Sequence, residues 1–161
     1  MIRVQRSLLV ERDPEAVFGL LSDPARYPEF MVGITHWRPL SGTRRGVGTR
    51  FRVLMRVGSI EAGGIVNVVK WDENRLIEWS SERGIQQRGR WELRRAKSGT
   101  EVQLTLEFDL SGGPVGRLVE RLTGRMVSRN MYATLLAVRR LLEYEGRAVP
   151  SSRPDGVFPG V

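Results

Sequence analysis

From residue 34 to residue 111 apolar and polar side chains alternate, and a period of two marks strands with one dry face and one wet face. The clearest stretch is Glu101–Leu110, where Val102, Leu104, Leu106, Phe108 and Leu110 alternate with Glu101, Gln103, Thr105, Glu107 and Asp109. Ile85–Arg95 repeats the pattern, with Ile85, Gln87, Gly89, Trp91 and Leu93 sharing one side. Further strands read over Ile34–Leu40, Gly46–Val57, Ile60–Trp71 and Arg75–Glu82, and Ile2–Glu11 supplies one more at the start. In the second of these, Phe51, Val53, Met55 and Val57 oppose Arg50, Arg52 and Arg56. Gly58-Ser59, Glu82-Arg83-Gly84 and Ser98-Gly99-Thr100 have the composition of hairpin turns. Gly63-Gly64, inside a strand pattern, reads as a bulge.

Helical signals flank this run. Asp13 before Pro14 is an N-cap followed by proline at the first helical position, and Pro14–Leu21 then buries Val17, Phe18 and Leu21. Ser22-Asp23-Pro24 ends that helix and opens a shorter one reaching Phe30. Ser111-Gly112-Gly113-Pro114 stops the last strand, and a long helix follows over 115–145, closed by Gly146. Its apolar stripe is Val115, Leu118, Val119, Leu122 and Met126 at first, then Val127, Met131, Leu135, Val138 and Leu142. The stripe turns by roughly a third of a turn near Gly124, at about 100° per residue. Continuing the first stripe leads to Asn130, Ala133, Ala137 and Leu141, and the small and polar residues on that face leave room beneath the helix; close helix–sheet packing accounts for them equally well.

The expected fold class is therefore α+β: a seven-stranded curved antiparallel sheet wrapped around a long C-terminal helix, with two short helices after the first strand. One helix stripe cannot cover so large a dry face unless the sheet curls around it, and such a curl leaves an apolar cavity at its open end. Residues 1–146 form a single domain on this reading, and 147–161, with Pro150, Pro154 and Pro159, form a disordered tail.

Composition narrows the chemistry. The 161 residues include no cysteine, which removes thiolate catalysis, iron–sulfur clusters and cysteine zinc sites. No apolar run approaches the roughly 18 residues of a membrane span, and the expected location is the cytoplasm. The net charge is +8. The arginines that carry it are spread along the chain and alternate with apolar residues, with no basic block. A solvated surface explains them, with weak contact to anionic surfaces allowed and no specific nucleic-acid partner expected. His36 is the lone histidine and reads as a surface residue; no metal site and no cofactor are called for.

Several segments together resemble the START/polyketide-cyclase (SRPBCC, helix-grip) superfamily. They are Val10–Phe18, the Asp23…Tyr27-Pro28-Glu29-Phe30 segment, Gly46-Val47-Gly48-Thr49-Arg50-Phe51, the Trp71…Leu76-Ile77…Trp79 pair and Gly112-Gly113-Pro114. The resemblance spans residues 2 to about 145. It implies a cavity that binds or carries a lipid, polyketide, quinone or similar apolar molecule. Two alternatives come with it: a polyketide aromatase/cyclase or dehydrase-like enzyme, and a basic interaction module of the ribosome-associating toxin-like branch. Arg50, Arg52 and Arg56 point to water on the strand pattern, and no catalytic set maps onto this chain, so a binder is the favoured reading over an enzyme. The expected ligand-binding residues are Phe51, Met55, Trp79, Gln87, Trp91, Phe108, Met126 and Asn130. Gln87 and Asn130 are the polar anchors, read equally well as a buried strand amide and a solvated helix amide. Arg6, in phase with Val4 and Leu8, is a weaker candidate because long arginines reach out to water. The oligomeric state is not specified by these features.

Overall fold

The computed structural model describes residues 1–40, 42, 45–57, 59–109 and 113–148; within those ranges the side chains of Val57, Ile60 and 113–122 are left aside. The strands are β1 (Ile2–Val10), β2 (Ile34–Pro39), β3 (Arg50–Val57), β4 (Ile60–Asp72), β5 (Leu76–Gly84), β6 (Gln86–Ala96) and β7 (Gly99–Asp109). The helices are α1 (Pro14–Leu21), α2 (Tyr27–Phe30), entered through a 3-10 turn at Pro24–Arg26, and α3 (Gly113–Ala148). All seven strands pair antiparallel in one curved sheet of order β1-β7-β6-β5-β4-β3-β2. Five consecutive hairpins build the meander, and β1 closes it by pairing with β7 in unbroken register from Ile2↔Phe108 to Val10↔Thr100.

The period-two pattern decides which face is dry. On β6, Gly89, Trp91 and Leu93 are buried beneath α3 while Arg88 and Arg94 are exposed on the other side; on β7, Val102, Leu104 and Phe108 are buried in the same phase. The α3 stripe Val127, Met131, Leu135, Val138 and Leu142 meets that concave surface. Each such side chain taken fully out of water contributes about 1.5–3 kcal/mol.

Local signals set the connections. Asp13 accepts the Ala16 N–H at 2.9 Å and starts α1; Asp23 accepts the Ala25 N–H at 3.0 Å and starts the turn into α2. The buried Tyr27 hydroxyl donates to the Leu21 carbonyl at 2.7 Å, which locks α2 back onto α1.

Three sequence expectations are corrected. The strand expected from Gly46 begins at Arg50, because Gly46 and Gly48 adopt φ of 116° and 90°, which no extended strand accommodates. Gly63-Gly64 is not itself a bulge: β3–β4 pairing is regular through it, and the register shift falls one residue on, at Ile65/Val66 against β5. These glycines are needed because backbone carbonyls of Val53 and Arg83 occupy the places where Cβ atoms would stand. The long helix is not closed by Gly146 and runs on to Ala148, so Arg147 and Ala148 are helical; the tail expected beyond them lies outside the described residues. At Gly146 the missing Cβ leaves room for the Arg12 guanidinium, which donates to the Leu142 carbonyl.

Candidate functional site

Between the sheet and α3 lies a cavity of about 230 Å³. Strands β3 and β4 contribute Val53, Met55 and Ala62; Trp79 comes from β5, and Gln87 from β6, with Ile85 just before it. On β7 the wall is Leu104, Leu106 and Phe108, while α3 closes the space with Thr123 and Val127. Met31, Ile34 and Trp37 seal the side next to α2.

The lining is apolar because every strand presents its dry phase here. Glu107 borders the space, but its carboxylate turns to the convex face and meets Arg3 at 3.5 Å. The polar side chains on the wall are Gln87 and Thr123, both neutral. Gln87 is half-buried; its backbone N–H donates to Ser81 Oγ at 3.1 Å.

An aromatic partition bounds the cavity. Trp37 stands edge-on to Tyr27 with ring centroids 4.6 Å apart and to Trp79 at 6.2 Å, and lies tilted on Phe51 at 5.3 Å. Its indole Nε1 is shielded from solvent and meets no acceptor among the described residues. Trp79 keeps its position because residue 89 is glycine: a Cβ there would fall on the Trp79 ring.

Beyond the partition is a second recess of about 520 Å³, lined by Tyr27, Phe51, Trp71 and Ile77 together with Asp23, Arg45 and Thr49. The Arg45 guanidinium lies 5.3 Å from the centre of Trp71 and 5.8 Å from that of Phe18, and pairs with Glu73 at 2.9 Å. Glu73 also accepts the Trp71 indole N–H at 2.9 Å. Burial pushes the Tyr27 phenol above its ordinary pKa, so it stays a neutral donor to Leu21.

The expected site residues divide accordingly. Met55, Trp79, Gln87 and Phe108 are brought together on the apolar cavity. Phe51 lines the second recess instead, because Trp37 stands between it and the cavity. Trp91 is packed into the core at 2 % exposure and lines neither space. Met126 and Asn130 are half-buried on the flank of α3, outside the cavity wall; the Asn130 amide fills the place a side chain at Gly33 would take. Arg6 donates to Ser128 and ties β1 to α3, and His36 is exposed. Thr123 and Trp37 were missed. Thr123 stands one helical turn before Val127, so extending the second stripe backward by four residues finds it.

Several arginines of the convex face are matched by carboxylates. Arg50 Nε meets Glu82 at 2.7 Å, and Arg94 meets Glu92 at 2.9 Å. Arg50 holds the Glu82 carboxyl below its usual range. Among the described residues no helix is long and apolar enough to cross a membrane.

The sequence matches the family model for polyketide cyclase/dehydrase and lipid transport over residues 1–143. No curated protein sequence matches it. Among solved structures, a protein from Thermus thermophilus superposes with a TM-score of 0.78 at 20% identity, covering 89% of this chain and 99% of that one. The Zhui aromatase/cyclase from a Streptomyces species gives 0.78 at 19% identity, covering 91% and 96%. A START superfamily protein from Mycobacterium smegmatis gives 0.69 at 20% identity, covering 86% and 98%. At these identities the likeness is one of fold.

Proposed function

We propose that this chain, which belongs to the polyketide cyclase/dehydrase and lipid transport family, binds and carries a small apolar molecule in the cavity between sheet and α3. The observation that carries this reading is the character of the wall: hydrophobic side chains from five strands and α3, interrupted by two neutral polar groups, Gln87 and Thr123. That is the make-up of small-molecule sites, mostly apolar with a few placed polar atoms. Met55, Trp79 and Phe108 supply apolar contact, and Gln87 orients the occupant. A cyclase or dehydrase needs positioned acid and base groups at the reacting atoms. Of the ionisable groups nearby, Glu107 borders the cavity but is paired with Arg3, while Asp23 and Arg45 line the second recess. This arrangement favours carriage over catalysis, and it supports no role for the arginine surface in reading RNA.

Titration with the neutral fluorophore N-phenyl-1-naphthylamine tests the reading. Saturable binding is expected in the wild type. Ala62→Phe, which pushes a ring into the cavity from β4, should weaken it at least about tenfold while far-UV circular dichroism stays unchanged. Equal binding by both proteins would place the ligand elsewhere. Turnover of a poly-ketone substrate dependent on Gln87 would promote the cyclase reading.

A further inference from the structure

The arginines of the sheet and those of the long helix differ in their partners. On the sheet, Arg3, Arg50, Arg56, Arg88 and Arg94 each have a carboxylate oxygen at 3.9 Å or closer. On α3, Arg125, Arg129, Arg139, Arg140 and Arg147 have neither an ion pair nor a hydrogen bond among the described residues. At about 100° per residue these five fall on one stripe, opposite the buried Val127, Met131, Thr134 and Val138. Glu143 is the one acidic side chain on that stripe among the described residues, and it pairs with neither Arg139 nor Arg147 one turn away. Five cations against one carboxylate leave a net of four positive charges on the outer face of the helix. Like charges one turn apart, such as Arg125 and Arg129, repel each other, so the bare stripe is unfavourable until an anionic partner covers it.

The shape of the stripe selects the partner. From Arg125 to Arg147 it runs straight for about 33 Å, at about 1.5 Å per residue. A plane laid along α3 reaches all five guanidiniums together. Tyr132, 47% exposed, and the half-buried Leu136 stand in its middle, and Tyr144, 74% exposed, flanks its C-terminal part. Amphipathic rings and arginines with apolar stems suit the boundary between lipid headgroups and acyl chains. A nucleic-acid duplex fits less well. A helix reads a groove about 12 Å wide by entering it, and α3 is flanked by β1 through Arg6 and Ser128 and by the α2 region through Val32 and Thr134. Single strands need rings that stack successive bases, whereas Tyr132 and Tyr144 stand about 18 Å apart along the helix.

We infer that the outer face of α3 docks this protein on a membrane surface rich in anionic phospholipid headgroups, with the helix lying flat against it. The docking uses no property of the cavity and is independent of the carrier reading. It has a consequence for that reading all the same: α3 is one wall of the apolar cavity, so docking holds the cavity about 10 Å, one helix diameter, from the lipids.

Co-sedimentation of the full chain with vesicles tests this, using phosphatidylcholine mixed with phosphatidylglycerol against phosphatidylcholine alone. The wild type should bind the mixed vesicles and not the neutral ones, and raising salt from about 0.05 to 0.15 M should weaken binding several-fold. Each arginine near an anionic surface adds about fivefold to partitioning, so Arg125→Gln with Arg129→Gln should lose about twentyfold. Arg38→Gln with Arg52→Gln is the charge-matched control: these two are exposed, lack an ion pair among the described residues and lie opposite each other across β2–β3. That control should bind like the wild type. Circular dichroism melts check folding, and Arg139→Gln with Arg140→Gln replaces the first pair where it unfolds. Equal losses in the helix and control pairs would mean that total charge is read and would overturn the inference. Equal binding to both vesicle types, or binding to neither, would overturn it too. So would tighter binding of a labelled RNA duplex at the same salt, lost in the same helix variant, which would give the face to nucleic acid. Each of these outcomes leaves the carrier reading standing.

Discussion

Two spaces are separated by an aromatic layer, with Trp37 bordering one and Tyr27 and Phe51 the other, and they differ in almost every respect that matters to a ligand. The apolar cavity of about 230 Å³ is walled by the dry phases of six strands and by α3, and the polar side chains turned toward it are neutral. The larger recess of about 520 Å³ sits where α1 and the 3-10 turn meet the ends of β3, β4 and β5, and it contains Arg45 and Asp23. Regular strands present alternating residues, so a surface built only from them is uniform; a surface built where loops join acquires charge, because loop residues are chosen for turns and water. Size therefore does not identify the binding site. The smaller space has the uniform wall an apolar molecule needs, and the larger has its one guanidinium already engaged by Glu73 and two aromatic rings.

The strongest way to break this contrast is to remove the partition. Trp37→Ala should cost about 3–5 kcal/mol of stability in urea unfolding and join the two spaces. The joined space should then take diphenylhexatriene, a rod too long for the wild-type cavity, with a rise in its fluorescence. A variant that loses stability but gains no affinity for the rod would show that Trp37 does not divide the two spaces.

Gly89→Ala acts on one side only. The new methyl group meets the Trp79 ring, so a loss of about 1–3 kcal/mol is expected, with N-phenyl-1-naphthylamine binding weakened as Trp79 shifts into the cavity. Unaltered probe affinity alongside the stability loss would mean that Trp79 yields away from the cavity.

Arg45→Ala acts on the other side. Loss of its contacts over Trp71 and Phe18 should cost about 0.5–1 kcal/mol in thermal unfolding and leave probe affinity in the apolar cavity within error. A drop in that affinity would show that the two spaces communicate.

The smallest effect concerns how α2, which carries Tyr27, is held. Arg26 donates to Glu29 at 2.9 and 3.0 Å and also pairs with Glu145 on α3. Its hydrogen bonds hold the Glu29 carboxyl below the usual range. A depressed carboxyl contributes stability that is present above its unfolded pKa, near about 4.3, and lost as pH falls through the folded value. Melting temperature should thus fall on acidification below about pH 4, and Glu29→Gln should flatten that slope slightly. Identical slopes for the two proteins would remove this pair from the account.

Much of the molecule was legible in its sequence because each strand obeys a rule that is local. Alternation along Glu101–Leu110 and Ile85–Arg95 specified which side chains turn inward, and those faces are the ones buried beneath α3. Asp13-Pro14 and Asp23-Pro24 specified two helical starts for the same reason: a cap and a fixed φ act over three or four residues. Inward phase also brought Met55, Trp79, Gln87 and Phe108 to one cavity. What phase does not encode is distance along and across the sheet. Phe51 and Trp91 share that phase, yet one lies beyond Trp37 and the other is packed solid in the core, since the curl of the sheet and the placement of α2 decide where empty space remains. Asn130 and Thr123 are both polar residues of α3, and only the rotation of the helix over β1 and β7 turned Thr123 to the cavity and Asn130 to Gly33. A void is a property of packing among residues far apart in the chain, so the sequence determined the inward-facing set, and the tertiary structure chose which of its members border the space.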